Sequence, residues 1–160
     1  MRKDVNNTQF IEDWKKIAKI DWARVRRNLR DRDAIAAGFF LQQCLEKYLK
    51  AFLLTHGWKL KKIHRLDTLL DEAVNYDERL QVFYELCEVI SGYYRADRYP
   101  TLGTELLACE DIEKDLEKAK RFILIMFPEE KLGGYISTTG NYRAFPSKYR
   151  KGYGRSRTIH

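Results

Sequence analysis

Proline is scarce in this 160-residue chain, with three residues at Pro100, Pro128 and Pro146. No stretch alternates polar and apolar residues for long, so nothing specifies a half-buried sheet, and long helices can form uninterrupted. The three cysteines, Cys44, Cys87 and Cys109, are odd in number, widely spaced and set among apolar residues. That pattern excludes a closed disulfide frame and reads as reduced core thiols in a cytoplasmic protein. No two metal-type ligands stand at CxxC or HxxxH spacing, which argues against a zinc site, and no cofactor is implied. No apolar run follows Met1-Arg2-Lys3-Asp4, so no secretory signal is expected. The longest apolar stretch, Ala34 to Leu54, is broken by Gln42, Gln43, Glu46, Lys47 and Lys50, which is too polar for a membrane span. A Gly-rich phosphate loop, a Ser/His/Asp set and an HExxH motif are all missing.

What the chain does have is charge, at 33% of residues, and 44% hydrophobic residues, enough for both a core and a solvated surface. The length suits one domain. The net charge of +7 is unevenly placed. Residues 1–130 are balanced, whereas residues 131–160 hold Lys131, Arg143, Lys148, Arg150, Lys151, Arg155 and Arg157 and no acid. The same segment carries four tyrosines and five of the nine glycines. Its few aliphatic residues cannot offset the entropy of ordering it, so residues 1–130 are expected to form the domain and residues 131–160 a basic tail. Cations interleaved with tyrosine suit single-stranded nucleic acid. A solubilising tail, or one that docks on a partner subunit, fits the composition too.

Helical periodicity accounts for the body of the chain. Phe10, Trp14, Ile17, Ala18, Trp22, Val25 and Leu29 recur at three- and four-residue steps and predict a helix over 9–29. Arg24, Arg26, Arg27 and Arg30 sit in its last turns, where the helix dipole favours cations. Asp31 or Asp33 can cap a second helix, 34–56, which Gly57 ends. That helix is apolar on most sides, so it is either central to the bundle or shared with a second subunit. Leu66, Leu69, Leu70, Ala73 and Val74 predict a short third helix. Asp77 caps a fourth over 78–97, with Leu80, Phe83, Leu86, Cys87, Ile90 and Tyr94 as its stripe. A fifth over 111–127 buries Ile112, Leu116, Ala119, Ile123 and Met126 or Phe127. Five helices with short links predict an all-α, up-and-down antiparallel bundle.

Few residues offer chemistry. His160 is terminal, His56 stands at a helix end as a cap, and His64 precedes the third helix, either as a cap or as part of a site. The densest polar cluster is Tyr93-Tyr94-Arg95-Ala96-Asp97-Arg98-Tyr99-Pro100. Arg95 and Arg98 lie one turn apart beside a bend that Pro100 forces, and two guanidinium groups on one face form a natural phosphate clamp. Ion pairs with Asp97, Glu46 or Glu88 are the alternative.

Four segments, in order, resemble the HEPN domain. Gln42, Glu46, Lys47, Lys50, Ala51 and Leu53 fit the Q-x-x-x-E-K-x-x-K-A-x-L of its second helix. Trp14, Ala18 and Asp21 are similar to its W-x-x-x-A-x-x-D, and His64, Leu66 and Leu69 to its H-x-L-x-x-L. Tyr94, Arg98, Tyr99 and Pro100 resemble its Y-x-x-x-R-Y-P. The resemblance covers about residues 10–127 and implies a helical bundle, usually a homodimer, often encoded beside a minimal nucleotidyltransferase as toxin and antitoxin. Other members are ribonucleases with an Arg-x(4–6)-His motif at the end of the fourth helix, and Arg98 corresponds to that arginine. No histidine follows it: Gly103, Thr104 and Glu105 occupy the matching positions.

The expectation is therefore a HEPN-type protein that binds nucleotide, RNA or a nucleotidyltransferase partner. Arg95 and Arg98 would hold phosphate, Tyr99 would stack or hydrogen-bond, and Lys47 and Lys50 would add positive potential. The rival is a metal-independent endoribonuclease using Arg98, with Glu105 as base or His64 brought in by folding or by a second subunit. A purely structural, partner-docking dimer is the third possibility.

Overall fold

The computed structural model describes residues 2–98 and 107–133, with side chains placed for 7–95 and 107–133. It contains α1 (Arg2–Arg30), α2 (Ala34–Thr55), α3 (Leu66–Val74), α4 (Tyr84–Arg98) and α5 (Cys109–Met126). A 3-10 segment, Glu78–Phe83, leads into α4. Among the described residues there is no strand.

α2 is the axis of the bundle and packs against all four other helices. Leu41, Cys44, Leu45, Tyr48, Leu49, Ala51 and Leu53 are fully buried along it. Its apolar character is thus mostly covered within one chain, without recourse to a second subunit, and Ile35 is left exposed near its start. α1 runs antiparallel to α2 and buries Ala18, Trp22, Val25 and Leu29. Phe10 and Ile17, assigned to that stripe by spacing, are exposed: at 100° per residue Ile17 falls about 80° outside the arc set by Ala18, Trp22, Val25 and Leu29. α4 also runs against α2, and α5 runs with it.

The caps follow local chemistry. Asp33 Oδ1 accepts from the Ala36 N–H at 3.0 Å and starts α2. Gly57, with φ of +83°, ends it in the left-handed region that glycine enters freely. His56 is the C-terminal cap residue, its ring stacked on Tyr76 at 4.6 Å. Asp77 does cap the next helix, but the first six residues of that helix are 3-10 rather than α. Asp77 accepts from the Arg79 N–H at 3.1 Å and from the Arg79 guanidinium at 2.7 Å, while the Leu80 N–H bonds the Asp77 carbonyl at 3.1 Å. These short-range bonds tighten the turn until Phe83 stacks on Phe122 at 4.5 Å.

Two features fix the end of α4. A Cβ at Gly38 would lie 2.8 Å from Tyr93 Cβ, so glycine alone allows α2 and α4 to approach this closely. Tyr93 Oη donates to the buried Asp115 on α5 at 2.6 Å. After α5 the chain turns at Pro128 and lies back over α1. Glu130 pairs there with Lys15 at 3.1 Å and Lys19 at 2.5 Å, and the Gly133 carbonyl accepts from Arg26 at 3.0 Å. Residues 131–133, assigned to the tail by composition, therefore still pack on the bundle.

Candidate functional site

The last turns of α4 carry the cluster that stood out in the sequence. Arg95 is exposed, and its guanidinium lies back toward Gly92, 3.9 Å from where a Cβ would sit. Among the described residues it meets no carboxylate within ion-pair distance. Tyr94 stacks on Phe39 of α2, with ring centroids 5.7 Å apart and planes 17° from parallel. Arg98 is the final residue of α4. Its side chain, together with Tyr99 and Glu105, lies outside the described residues.

The family-like residues of α2 have a different environment. Lys50 Nζ is buried, bonded to Glu46 Oε1 at 2.9 Å, and stands over the Trp14 ring at 5.5 Å. Lys47 Nζ is paired with Asp21, which also accepts from Arg24 at 2.7 Å. The two lysines expected to raise the surface potential are thus turned inward against carboxylates. Glu46 and Asp21 are themselves almost fully buried, and a charge taken that far from water needs a partner. The shared pattern W-x-x-x-A-x-x-D and Q-x-x-x-E-K-x-x-K is, in this chain, the signature of two internal ion-paired groups, Asp21–Lys47, which clips α1 to α2, and Glu46–Lys50 within α2.

His64 joins the Glu46–Lys50 pair from outside. Its Nδ1 lies 3.0 Å from Glu46 Oε1, and its backbone carbonyl accepts from Gln42 Nε2 at 3.0 Å. The ring itself remains largely exposed, at 69% of its side-chain surface. It does not cap α3, whose N-terminal cap residue is Arg65 with no side-chain bond. A buried carboxylate that fixes one nitrogen of an exposed imidazole orients the ring as a donor or proton acceptor. However, α4 meets α2 at Gly38, and Glu46 lies eight residues further on, about 12 Å along the axis. Within one chain, folding does not bring His64 to the end of α4.

Sequence reasoning missed the Tyr93–Asp115 bond and the Lys15–Glu130 pair. Both join residues far apart in the chain, and only Tyr93, in the aromatic cluster, carried a signal. Burial lowers the Lys15 ammonium's affinity for its proton, but Glu130 and Glu12 outweigh it and hold the group above its usual value. The three thiols are free and buried, and Cys44 and Cys87 are pushed up by burial, Cys87 to about 12. Burial thus keeps Cys44 and Cys87 in the thiol form.

The described residues form an all-helical up-and-down bundle, with Arg95 exposed near the end of α4 and a self-paired polar row on α2. Comparison with protein families matches residues 11–131 to the HEPN domain, and the chain belongs to that family. Comparisons with curated proteins and with solved structures gave no match. Among the described residues no helix is long and apolar enough to cross a membrane, and no group of three or more His, Cys, Asp or Glu is placed to hold a metal ion.

Proposed function

We propose that this HEPN-domain protein binds the phosphate groups of RNA or of a nucleotide at the end of α4, without cutting them. The observation that carries this is Arg95: an exposed guanidinium with no carboxylate partner among the described residues, on the same helix as Arg98 and one turn before it. Arg95 and Arg98 supply bidentate donors to phosphate, and Tyr99 supplies a ring or a hydroxyl. Metal-free RNA cleavage needs a base for the ribose 2′-hydroxyl and an acid for the leaving oxygen. The matching positions after Arg98 lack a histidine, and His64 is held about 12 Å along α2, which supports binding over catalysis.

In this reading the chain works as a homodimer with a minimal nucleotidyltransferase partner, as one half of a toxin–antitoxin or nucleic-acid-defence pair. Residues beyond Gly133 add a basic, tyrosine-bearing arm. Incubation of the full chain with single-stranded RNA in chelator is expected to give a complex and intact RNA. Cleavage that Arg98→Ala abolishes would establish the endoribonuclease instead. A docking protein with no phosphate site would show no shift in melting temperature with phosphate ligands. Truncation after Gly133 is expected to weaken RNA binding and flatten its salt dependence, and an unchanged slope removes the arm from the interface.

A further inference from the structure

The basic last turns of α1 have no part in the site at the end of α4. Lys19, Trp22, Ala23 and Arg26 stand at steps of three and four residues, so they share one face of that helix. The chain that returns after α5 lies against this face with Lys131, Leu132 and Gly133, and the two walls line a cavity of about 200 Å³. Arg26 Nη1 ties them together by donating to the Gly133 carbonyl at 3.0 Å.

Three cations and no acid line this cavity. Lys19 pairs at 2.5 Å with Glu130, which it shares with Lys15. Arg26 and Lys131 have no carboxylate partner among the described residues. The Gly133 bond occupies one of the five N–H donors of the Arg26 guanidinium, so the others stay available. Residues 134–160 contain no Asp or Glu, so no later side chain supplies the opposite charge.

Trp22 adds an independent observation. The residue is 5% exposed, and its indole Nε1 is buried with no acceptor among the described residues. Buried donors are nearly always paired, so an orphaned N–H beside a cationic cavity points to an acceptor brought by a ligand. The Cδ1–Nε1 edge of the ring faces Gly133. A Cβ at Gly133 would lie 3.6 Å from both of those atoms and 2.8 Å from Arg26 Nη1. The indole donor and the guanidinium therefore flank one point of the cavity wall, and glycine keeps that point free of a side chain. The remainder of the lining, Ala23 and Leu132, is apolar.

We propose that this cavity binds a phosphate monoester carrying one flat apolar ring. Arg26 and Lys131 hold the phosphate, whose oxygens supply the acceptor that the Trp22 N–H lacks as Gly133 gives way, and the ring rests on Ala23 and Leu132. Two cations without a carboxylate match the nearly doubly negative charge of a phosphate monoester at neutral pH, whereas a carboxylate would leave one of them uncompensated. The volume lies below the roughly 300–1,000 Å³ of sites for larger ligands, so the cavity admits one ring and its phosphate but not a dinucleotide. The site is separate from the one at the end of α4 and does not depend on it.

The test is a titration of the full chain with phenyl phosphate, by calorimetry and by nitrogen–proton NMR. The Trp22 indole signal is assigned by its loss in Trp22→Phe. Benzoate, inorganic phosphate and phenol are the comparison ligands. Phenyl phosphate is expected to move the Trp22 signal in a saturable titration with a Kd below about 1 mM. Benzoate and inorganic phosphate should each bind at least about tenfold more weakly, and phenol should not bind. Arg26→Gln/Lys131→Gln, shown to be folded by its melting curve, should lose at least about tenfold in affinity, and a control of equal charge on α5, Lys114→Gln/Lys120→Gln, should lose none. A Trp22 signal that phenyl phosphate leaves unmoved overturns the proposal, as does a double variant at Arg26 and Lys131 that binds no more weakly than the α5 control. Benzoate bound as tightly as phenyl phosphate overturns the assignment to phosphate, and inorganic phosphate bound as tightly overturns the ring. Should Trp22→Phe fail to fold, the calorimetric comparison of the two lysine and arginine variants decides alone.

Discussion

Glu46 is the residue on which most of the internal polar order depends. It accepts from Lys50, which is 4% exposed, holds His64 at 3.0 Å, and lies 3.3 Å from Gln42 Nε2. Removing one member of a buried ion pair leaves the other charge without a partner. Glu46→Ala should therefore cost about 3–5 kcal/mol in urea unfolding, far more than a surface truncation. A loss below about 1 kcal/mol would mean that Lys50 escapes to water. Tyr84 tests a second local contact. Its hydrogen bond to Asp71, at 2.6 Å, followed by burial, raises the phenol from an ordinary value of 10 to about 12. The folded form is thus favoured by the protonated phenol, fully below pH 10, and that contribution fades as pH rises toward 12. The difference between phenolate absorbance titrations of wild type and Tyr84→Phe should place this one tyrosine near 12, and a midpoint near 10 would contradict the bond. The residue scale was the least legible in the sequence. Lys47 and Lys50 look like surface cations by type, and only their partners, Asp21 and Glu46, turn them inward.

Elements were far easier to read. Three- and four-residue spacing located all five helices, and Asp33, Gly57 and Asp77 marked their ends, because caps act within a turn of where they stand. The 3-10 start at Glu78–Phe83 was not legible, since Arg79 folding back on Asp77 leaves the apolar spacing almost unchanged. Nor was the role of Gly38, which spacing shows only as a weak point in a helix. In the structure it sets the closest approach of α2 to α4. Gly38→Ala should push α4 outward, cost about 1–3 kcal/mol in thermal unfolding, and weaken phosphate binding at Arg95 by moving the helix that carries it. Unchanged stability and unchanged binding would show that α4 is not positioned by this contact. Tyr93→Phe should leave the α2–α4 contact intact while depriving buried Asp115 of its donor.

At the scale of the whole molecule, the described residues form an internally paired helical scaffold with Arg95 exposed near the end of α4. Its fold class was legible from the sequence and the four motifs together, and the family match over residues 11–131 agrees with both. The interior network consumes much of what the motifs share, so the motifs identify the family better than they identify the site. In the function proposed above, the ligand site is the end of α4, where Arg95 is exposed. The most direct measurement is the affinity of a short single-stranded RNA for the full chain in chelator, by calorimetry, for wild type, Arg95→Ala, Arg98→Ala and Arg98→Lys. The expected result is binding by the wild type, loss of at least about tenfold in each alanine variant, and only partial recovery by lysine, which has no planar fork. Equal affinity across all four proteins, or no binding by the wild type, would contradict the account.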